Sequence, residues 1–134
     1  MIKFLDLQQI NARHRDALIQ KSIDLIDSGW YIQGKMVTDF ERELAAYIGT
    51  KHAIGVANGL DALSLIFRAC LQLDYLKRGD EVLVPANTYI ASILAISENG
   101  LVPVLVEPDP GTYNISCTEL QKSVTSKTKA VLNV

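Results

Sequence analysis

The sequence has no apolar run approaching the roughly 18 to 20 residues that a membrane-spanning helix requires. Its beginning also lacks the long apolar stretch and the small-residue cleavage site of a secretory signal, and it carries an acidic residue at Asp6. These absences predict a cytoplasmic protein that does not enter the membrane. With 49% apolar residues among 134, the chain is nevertheless long and apolar enough to bury a core.

Cysteine and excess charge of one sign are also scarce. The two cysteines, Cys70 and Cys117, lie far apart and outside any CxxC or histidine-containing spacing, so we expect reduced thiols and neither a disulfide framework nor a metal site. The net charge is -2, and the lysines and arginines are scattered, which predicts no basic surface for nucleic acid. Small molecules are therefore the expected ligands.

Residues 1–50 are predicted to form an N-terminal helical segment. Apolar residues recur at helical spacing between residues 10 and 27, and Gly29 is expected to end that helix. Thr38 and Glu41 have the spacing of a capping box and are followed by one apolar helical face. Two helices are therefore expected before the first strand.

Residues 51–134 are predicted to form the first part of an α/β domain. The predicted strands are four apolar segments: 53–57, 81–85, 101–107 and 129–134. The predicted helices between them are 60–71, 88–98 and a short helix after the Ser116-x-x-Glu119 capping box. One helix between successive strands predicts parallel strands with right-handed connections in a doubly wound sheet. Pro103 cannot donate to a neighbouring strand, so the third strand is expected at an edge or with a bulge.

The carboxyl end of the first predicted strand is a candidate anion site, because open parallel sheets bind ligands outside the carboxyl ends of their strands. The next helix would begin with the amides of Gly59, Leu60 and Asp61, which have no intrahelical acceptors. Such donors suit a phosphate monoester. The motif matches neither GxxxxGK[ST] nor GxGxxG, so a P-loop and a dinucleotide site are unsupported. Alternatively, Asn58-Gly59 is only a tight turn and Asp61 only complements the helix dipole. The residues alone leave both interpretations open.

A candidate stacking residue follows the second strand. Thr88 is predicted to be the N-cap of the next helix, with Tyr89 projecting from its first turn. If the two strands are close in the sheet, the Tyr89 ring would lie beside the anion site and could stack on a planar ligand. The alternative is that Tyr89 contributes only to packing.

Three ordered motifs carry a family resemblance: GVANGLDAL, GDEVLVPANTYIAS and ENGLVPVLVEPDPGTYNI. Together with FLDLQQIN and WYIQGKMVTDFERELAAYIG, they resemble the N-terminal part of the DegT/DnrJ/EryC1/StrS sugar aminotransferases over essentially the whole chain. The resemblance implies a fold type I enzyme that depends on pyridoxal 5′-phosphate. Its large domain would be a parallel-strand three-layer α/β sandwich, of which this chain is the N-terminal part. The NGLDAL form resembles the subgroup that acts on dTDP-3-keto-6-deoxyhexoses, with glutamate as the implied amino donor.

The resemblance also assigns roles to individual residues. It implies that Gly59, Leu60 and Asp61 hold the cofactor phosphate, largely through the main chain, and that Tyr89 stacks on the pyridine ring. Leu60 stands where the family usually has threonine, so one hydroxyl donor to the phosphate is lost.

For the substrate, the resemblance implies a sugar-nucleotide site that is lined across a homodimer interface. The residues implied there are Tyr31, Gly34 and Lys35, while Asn87 or Thr88 would help to shape the pocket.

The residues that would make the cofactor reactive are expected beyond residue 134. The family uses a Schiff-base lysine and an aspartate at the pyridine nitrogen, and the lysines present here have the sequence context of solvent-exposed residues. The family sheet also places three later strands between its first strand and the other three predicted here. Because the chain stops on an apolar strand, we expect a truncated sequence, no catalytic residue within it and no activity of the chain alone.

An alternative from another class is a non-catalytic truncated product that only binds a phosphate ligand or a full-length partner. Exposed sheet edges would then favour association. A dinucleotide-binding oxidoreductase domain is disfavoured, because no GxGxxG motif follows any strand.

Overall fold

The computed structural model describes residues 3–134, which form two compact units, one ending at Gly55 and the other spanning Val56–Val134. The helices of the first unit are α1 (Leu7–Ala12), α2 (Arg15–Ser28) and α3 (Lys35–Ile48). The second unit contains, in chain order, α4 (Gly59–Gln72), β1 (Glu81–Pro85), α5 (Ile90–Glu98), β2 (Val102–Val106), α6 (Cys117–Ser123) and β3 (Thr128–Val131). No helix formed by residues 3–134 combines the length and the apolar character needed to cross a bilayer.

The single helix predicted over residues 10–27 is wrong, because the structure divides this region into α1 and α2. Asp6 is the N-cap of α1 and starts that helix before the apolar pattern begins. The chain then turns at His14, whose amide donates to the Asn11 carbonyl at 3.0 Å. α1 buries no residue, so no packing favours one continuous helix. The predicted end of α2 is confirmed at Gly29, which has a left-handed φ of 64°.

The capping box predicted at Thr38 and Glu41 is also wrong. α3 begins at Lys35 with Gly34 as its N-cap, and the Thr38 hydroxyl, inside the helix, donates to the Gly34 carbonyl at 3.5 Å. The Glu41 carboxylate instead accepts a hydrogen bond from the Gly55 amide at 2.6 Å. A Thr-x-x-Glu spacing occurs inside helices as well as at their starts, and here the carboxylate has a partner distant in sequence.

The sheet of the second unit confirms the predicted parallel architecture. Its described strands lie in the order β2-β1-β3, and β1 pairs in parallel with both neighbours. Pro103 lies opposite Val82 on β2, which is an edge strand of this sheet, as its missing amide hydrogen predicts. Val82, Leu83 and Val84 of the central strand are fully buried, which is typical of a parallel strand covered on both faces.

The strand predicted at residues 53–57 does not form, and this prediction is wrong. The segment has no regular secondary structure, and the Ile54 side chain is 80% exposed. A β-strand exists only when a neighbouring strand accepts and donates its backbone hydrogen bonds. No described residue pairs with this segment in the sheet. Its apolar sequence therefore does not produce a strand here.

The core of the second unit lies between β1 and the helices α4 and α5. Its buried residues are Phe67, Leu76, Val82, Val84, Ala95, Ile96 and Leu101. The two helices pack against each other, and the buried Asn99 side chain at the end of α5 donates to the Ser64 hydroxyl of α4 at 3.4 Å. This packing places α4, whose first turn carries the candidate anion site, against the sheet.

Candidate functional site

The first turn of α4 is held by its N-cap, Asn58. The backbone of Asn58 is extended, and its side-chain oxygen accepts a hydrogen bond from the Asp61 amide at 2.9 Å. The Asn58 side-chain amide donates in turn to the Asp61 carboxylate at 3.0 Å. The sequence also allowed a simpler interpretation, in which this motif is a tight turn followed by an acidic residue in the first turn of the helix. The structure contains these two features.

Two other amides remain at this helix start. The first backbone hydrogen bond of α4 runs from the Ala62 amide to the Asn58 carbonyl, at 3.1 Å. The amides of Gly59 and Leu60 come before it and have no acceptor within the helix. A Cβ atom built on Gly59 would meet no atom within 4 Å, so the space beside this residue is open. Two amide donors at the positive end of a 14-residue helix suit a phosphate group.

A cavity of about 320 Å³ adjoins the first turns of α4. It is lined by Val56, Ala57, Asp61, Ser64, Leu65 and Arg68. A larger cavity of about 800 Å³ lies at the other end of α4, beside the end of α5 and the turn before β1. Of the four candidate cofactor residues, Asp61 lines the smaller cavity, whereas Gly59, Leu60 and Tyr89 do not.

Tyr89 is exposed at the start of α5. The N-cap position belongs to Tyr89 and not to Thr88, so the predicted cap is wrong by one residue. The Thr88 hydroxyl donates to the buried Ser92 hydroxyl at 2.9 Å, which gives this side chain a partner other than the helix amides. Tyr89 is 79% exposed, which argues against a role in packing within this unit and leaves its ring accessible to a ligand.

The loop after β2 contacts the chain segment that precedes Tyr89. Asp109 Oδ1 accepts hydrogen bonds from the amides of Gly111 and Thr112, each at 2.9 Å, and from the Thr112 hydroxyl at 3.1 Å. The Asn87 side-chain amide, just after β1, donates to the Tyr113 carbonyl at 3.0 Å. The Asp-Pro-Gly sequence signals such a turn, but no sequence signal indicates its contact with Asn87.

The Asp109 turn should weaken only in acid. Hydrogen bonds from the Thr112 and Gly111 amides and from the Thr112 hydroxyl hold the pKa of Asp109 below its ordinary value of 3.8. A carboxylate with a lowered folded-state pKa contributes stability that is present above pH 3.8 and is lost as the pH falls through the folded-state pKa. We expect the NMR shifts of the Gly111 and Thr112 amides to titrate with a midpoint below 3.8. A titration midpoint at or above 3.8 would contradict this prediction.

The residues predicted to bind substrate lie together between α2 and α3. Tyr31 is exposed, and its hydroxyl donates to a carbonyl of α2 at 3.3 Å. Gly34 is buried, and a Cβ there would lie only 3.0 Å from the Trp30 carbonyl oxygen, so a larger residue would be crowded against the Trp30 backbone. Lys35 forms an ion pair with Asp39, and its hydrogen bond lowers the pKa of the Asp39 carboxyl. Their role in substrate binding stays a prediction.

A family model for DegT/DnrJ/EryC1/StrS aminotransferases matches residues 12–134. The chain belongs to this aminotransferase family. It is 57% identical over its whole length to dTDP-3-amino-3,6-dideoxy-alpha-D-galactopyranose transaminase from Aneurinibacillus thermoaerophilus. It is also 41% identical, over 99% of its length, to dTDP-3-amino-3,4,6-trideoxy-alpha-D-glucose transaminase from Streptomyces venezuelae. Among solved structures, S. venezuelae DesV in complex with a ketimine intermediate matches 97% of the chain with a TM-score of 0.84 and 39% identity.

The chain spans about a third of the length of these DegT/DnrJ/EryC1/StrS relatives: 36% and 34% of the two transaminases and 34% of DesV. The match confirms the predicted family and the predicted α/β fold with a parallel sheet. The family depends on pyridoxal phosphate. The site at the start of α4 fits the phosphate of that cofactor, because Gly59 and Leu60 present two amide donors beside open space.

Proposed function

We propose that this chain is the N-terminal, cofactor-binding part of a pyridoxal-phosphate-dependent sugar aminotransferase. Its complete form would transfer an amino group from glutamate to a dTDP-3-keto-6-deoxyhexose. The observation that carries the proposal is the helix start at Gly59 and Leu60, which offers two unpaired amide donors in a member of this family. The 57% identity to a relative named as a dTDP-3-amino-3,6-dideoxygalactose transaminase supports the proposed substrate class.

The proposed cofactor-binding residues are Gly59, Leu60, Asp61 and Tyr89. The Gly59 and Leu60 amides donate to the phosphate directly, whereas the Asp61 amide would have to exchange its Asn58 partner for a phosphate oxygen. The exposed Tyr89 ring stacks on the pyridine ring. Bound pyridoxal phosphate supplies the carbonyl group and the electron-withdrawing ring on which transamination depends. Because Leu60 has no hydroxyl, phosphate binding depends more strongly on the main chain.

The wider assignments belong to the same proposal. Residues 1–50 form an N-terminal helical segment, and residues 51–134 the first part of the cofactor-binding domain. Tyr31, Gly34 and Lys35 bind the sugar nucleotide in a homodimer of the complete enzyme. The complete enzyme acts in the cytoplasm. The lysine that binds the cofactor covalently is supplied outside residues 1–134.

The competing function is a product that binds a phosphate-bearing ligand without catalysis or associates with a full-length partner. The side of β3 that faces away from β1 pairs with no described strand, and Val131 on β3 is exposed, which favours association. This alternative requires no preference for the pyridine ring, and so ligand binding separates it from the proposed function.

Calorimetric titration of the chain with three ligands tests the proposal. Pyridoxamine phosphate should bind at least about tenfold more tightly than pyridoxamine, because each hydrogen bond to a charged group contributes roughly 1.5 to 3 kcal/mol. This ligand is chosen because it cannot form an imine with exposed lysines. It should also bind more tightly than inorganic phosphate, because only the former can stack on Tyr89. Equal affinities for pyridoxamine and its phosphate would overturn the phosphate site. Equal affinities for pyridoxamine phosphate and inorganic phosphate would favour the non-catalytic alternative.

A further inference from the structure

The connection between β1 and α5 is held at its start by backbone hydrogen bonds. At its start, the Ala86 amide donates to the Val106 carbonyl of β2 at 2.8 Å, and the Thr88 amide closes a turn onto the Pro85 carbonyl at 3.1 Å. At its end, α5 begins at Ile90 with no side-chain hydrogen bond from its N-cap. The Ser92 amide donates to the Tyr89 carbonyl at 3.0 Å, while the Tyr89 side chain itself is exposed.

Asn87 supplies a constraint from a distant part of the chain. Its side-chain amide donates to the Tyr113 carbonyl at 3.0 Å, across 26 residues of sequence. Among the described residues, this side-chain hydrogen bond joins the β1–α5 connection to the loop after β2.

The loop that accepts this hydrogen bond is itself rigidly held. The Asp109 amide donates to the Asn114 carbonyl, and the Tyr113 amide donates to the Asp109 carbonyl, both at 2.8 Å. Pro108 and Ile115 form an isolated antiparallel bridge at the base of the loop. Tyr113 adopts a left-handed φ of 59°, which is uncommon for a residue other than glycine and persists only where surrounding contacts hold it.

We propose that Asn87 is a positioning residue for Tyr89. Its hydrogen bond to the Tyr113 carbonyl attaches the β1–α5 connection to the rigid loop after β2, and thereby holds the Tyr89 ring at the carboxyl end of β1. The cofactor part of this inference rests on the proposed function, in which the Tyr89 ring stacks on the pyridine ring. Asn87 acts through Tyr89 and needs no contact with the ligand.

The test compares Asn87→Asp with Ser97→Ala in the full chain. Aspartate keeps the size of asparagine but cannot donate to the Tyr113 carbonyl. Ser97→Ala removes another exposed hydrogen bond, which runs from the Ser97 hydroxyl to the Leu94 carbonyl within α5 at 3.2 Å. Each variant therefore loses one surface hydrogen bond.

The first readout needs no ligand. The ¹⁵N heteronuclear NOE of the Tyr89 amide should fall in Asn87→Asp and stay unchanged in Ser97→Ala. The second readout uses pyridoxamine phosphate: Asn87→Asp should weaken its binding about fivefold and reduce the circular dichroism induced in the bound pyridine ring. The urea midpoints of the two variants should be similar.

The outcomes separate the two proposals. An unchanged Tyr89 NOE in Asn87→Asp overturns the positioning role, whatever the ligand does. A lowered NOE without any binding of pyridoxamine phosphate to the unmodified chain supports the role of Asn87 in holding Tyr89 and overturns the proposed function. A lowered NOE with unchanged affinity and unchanged induced dichroism shows that Asn87 holds the connection only, and overturns its role in presenting the ring to the cofactor.

Discussion

Replacing Ile96 with alanine should lower the free energy of unfolding of the second unit by about 3 kcal/mol, within the range found for buried aliphatic residues. Ile96 is fully buried, at 0% exposure, in the core formed by β1, α4 and α5. The loss combines the apolar surface no longer buried with the cavity that the surrounding side chains cannot refill. Urea unfolding followed by far-UV circular dichroism measures this difference.

Ile90→Ala is the matched control. Ile90 is the same residue type in the same helix, but its side chain is 52% exposed, so the expected loss is below about 1 kcal/mol. The single tryptophan, Trp30, lies in the first unit, and its fluorescence provides a separate signal for that unit. Equal losses for Ile96→Ala and Ile90→Ala would show that the described core does not stabilise the unit.

Gly59→Pro should weaken the binding of pyridoxamine phosphate about tenfold or more, because it removes one amide donor to a charged phosphate. Proline is favoured at the first position of a helix, where Gly59 lies. The preceding residue, Asn58, has φ -162° and ψ 175°, an extended conformation that a following proline tolerates. The change therefore removes a ligand donor with little disturbance of α4, and calorimetric titration measures the loss.

Gly59→Ala is the control for this substitution. Alanine restores a side chain but keeps the amide hydrogen, and its Cβ would meet no atom within 4 Å. Both variants place a Cβ in the open space beside Gly59, so their comparison isolates the amide hydrogen: Gly59→Ala should bind pyridoxamine phosphate more tightly than Gly59→Pro, and neither variant should lower the urea midpoint. If Gly59→Pro and Gly59→Ala bind the ligand equally well, the Gly59 amide is not a phosphate donor.

Short-range sequence patterns correctly predicted those elements whose pattern is compatible with a single local structure. The strand predicted at 81–85 is β1, and the missing amide of Pro103 predicted an edge or bulged strand. Ser116 caps α6 as predicted, because its hydroxyl accepts a hydrogen bond from the Glu119 amide at 3.3 Å. These features depend on the backbone chemistry of one residue or a few neighbours.

Patterns that fit more than one structure were assigned wrongly. The spacing of Thr38 and Glu41 fits a capping box, but Glu41 instead accepts a hydrogen bond from Gly55. Thr88 has the chemistry of an N-cap, but its hydroxyl reaches Ser92. The apolar segment 53–57 has the composition of a strand and forms none, because a strand also requires a hydrogen-bonded neighbour. In each case the presence or absence of a hydrogen-bond partner decided the outcome.

At the candidate site, the sequence alone determined the family resemblance, the helix start at Gly59 and the presence of an aromatic residue after β1. Only the tertiary structure decided that Asn58 engages the Asp61 amide, that the Tyr89 ring is exposed, and that Asn87 bonds to the loop after β2. The physical reason is the separation along the sequence of the residues that interact. Helix starts and turns depend on neighbouring residues, whereas the last contact exists because the parallel pairing of β1 and β2 brings two distant chain segments to the same edge of the sheet.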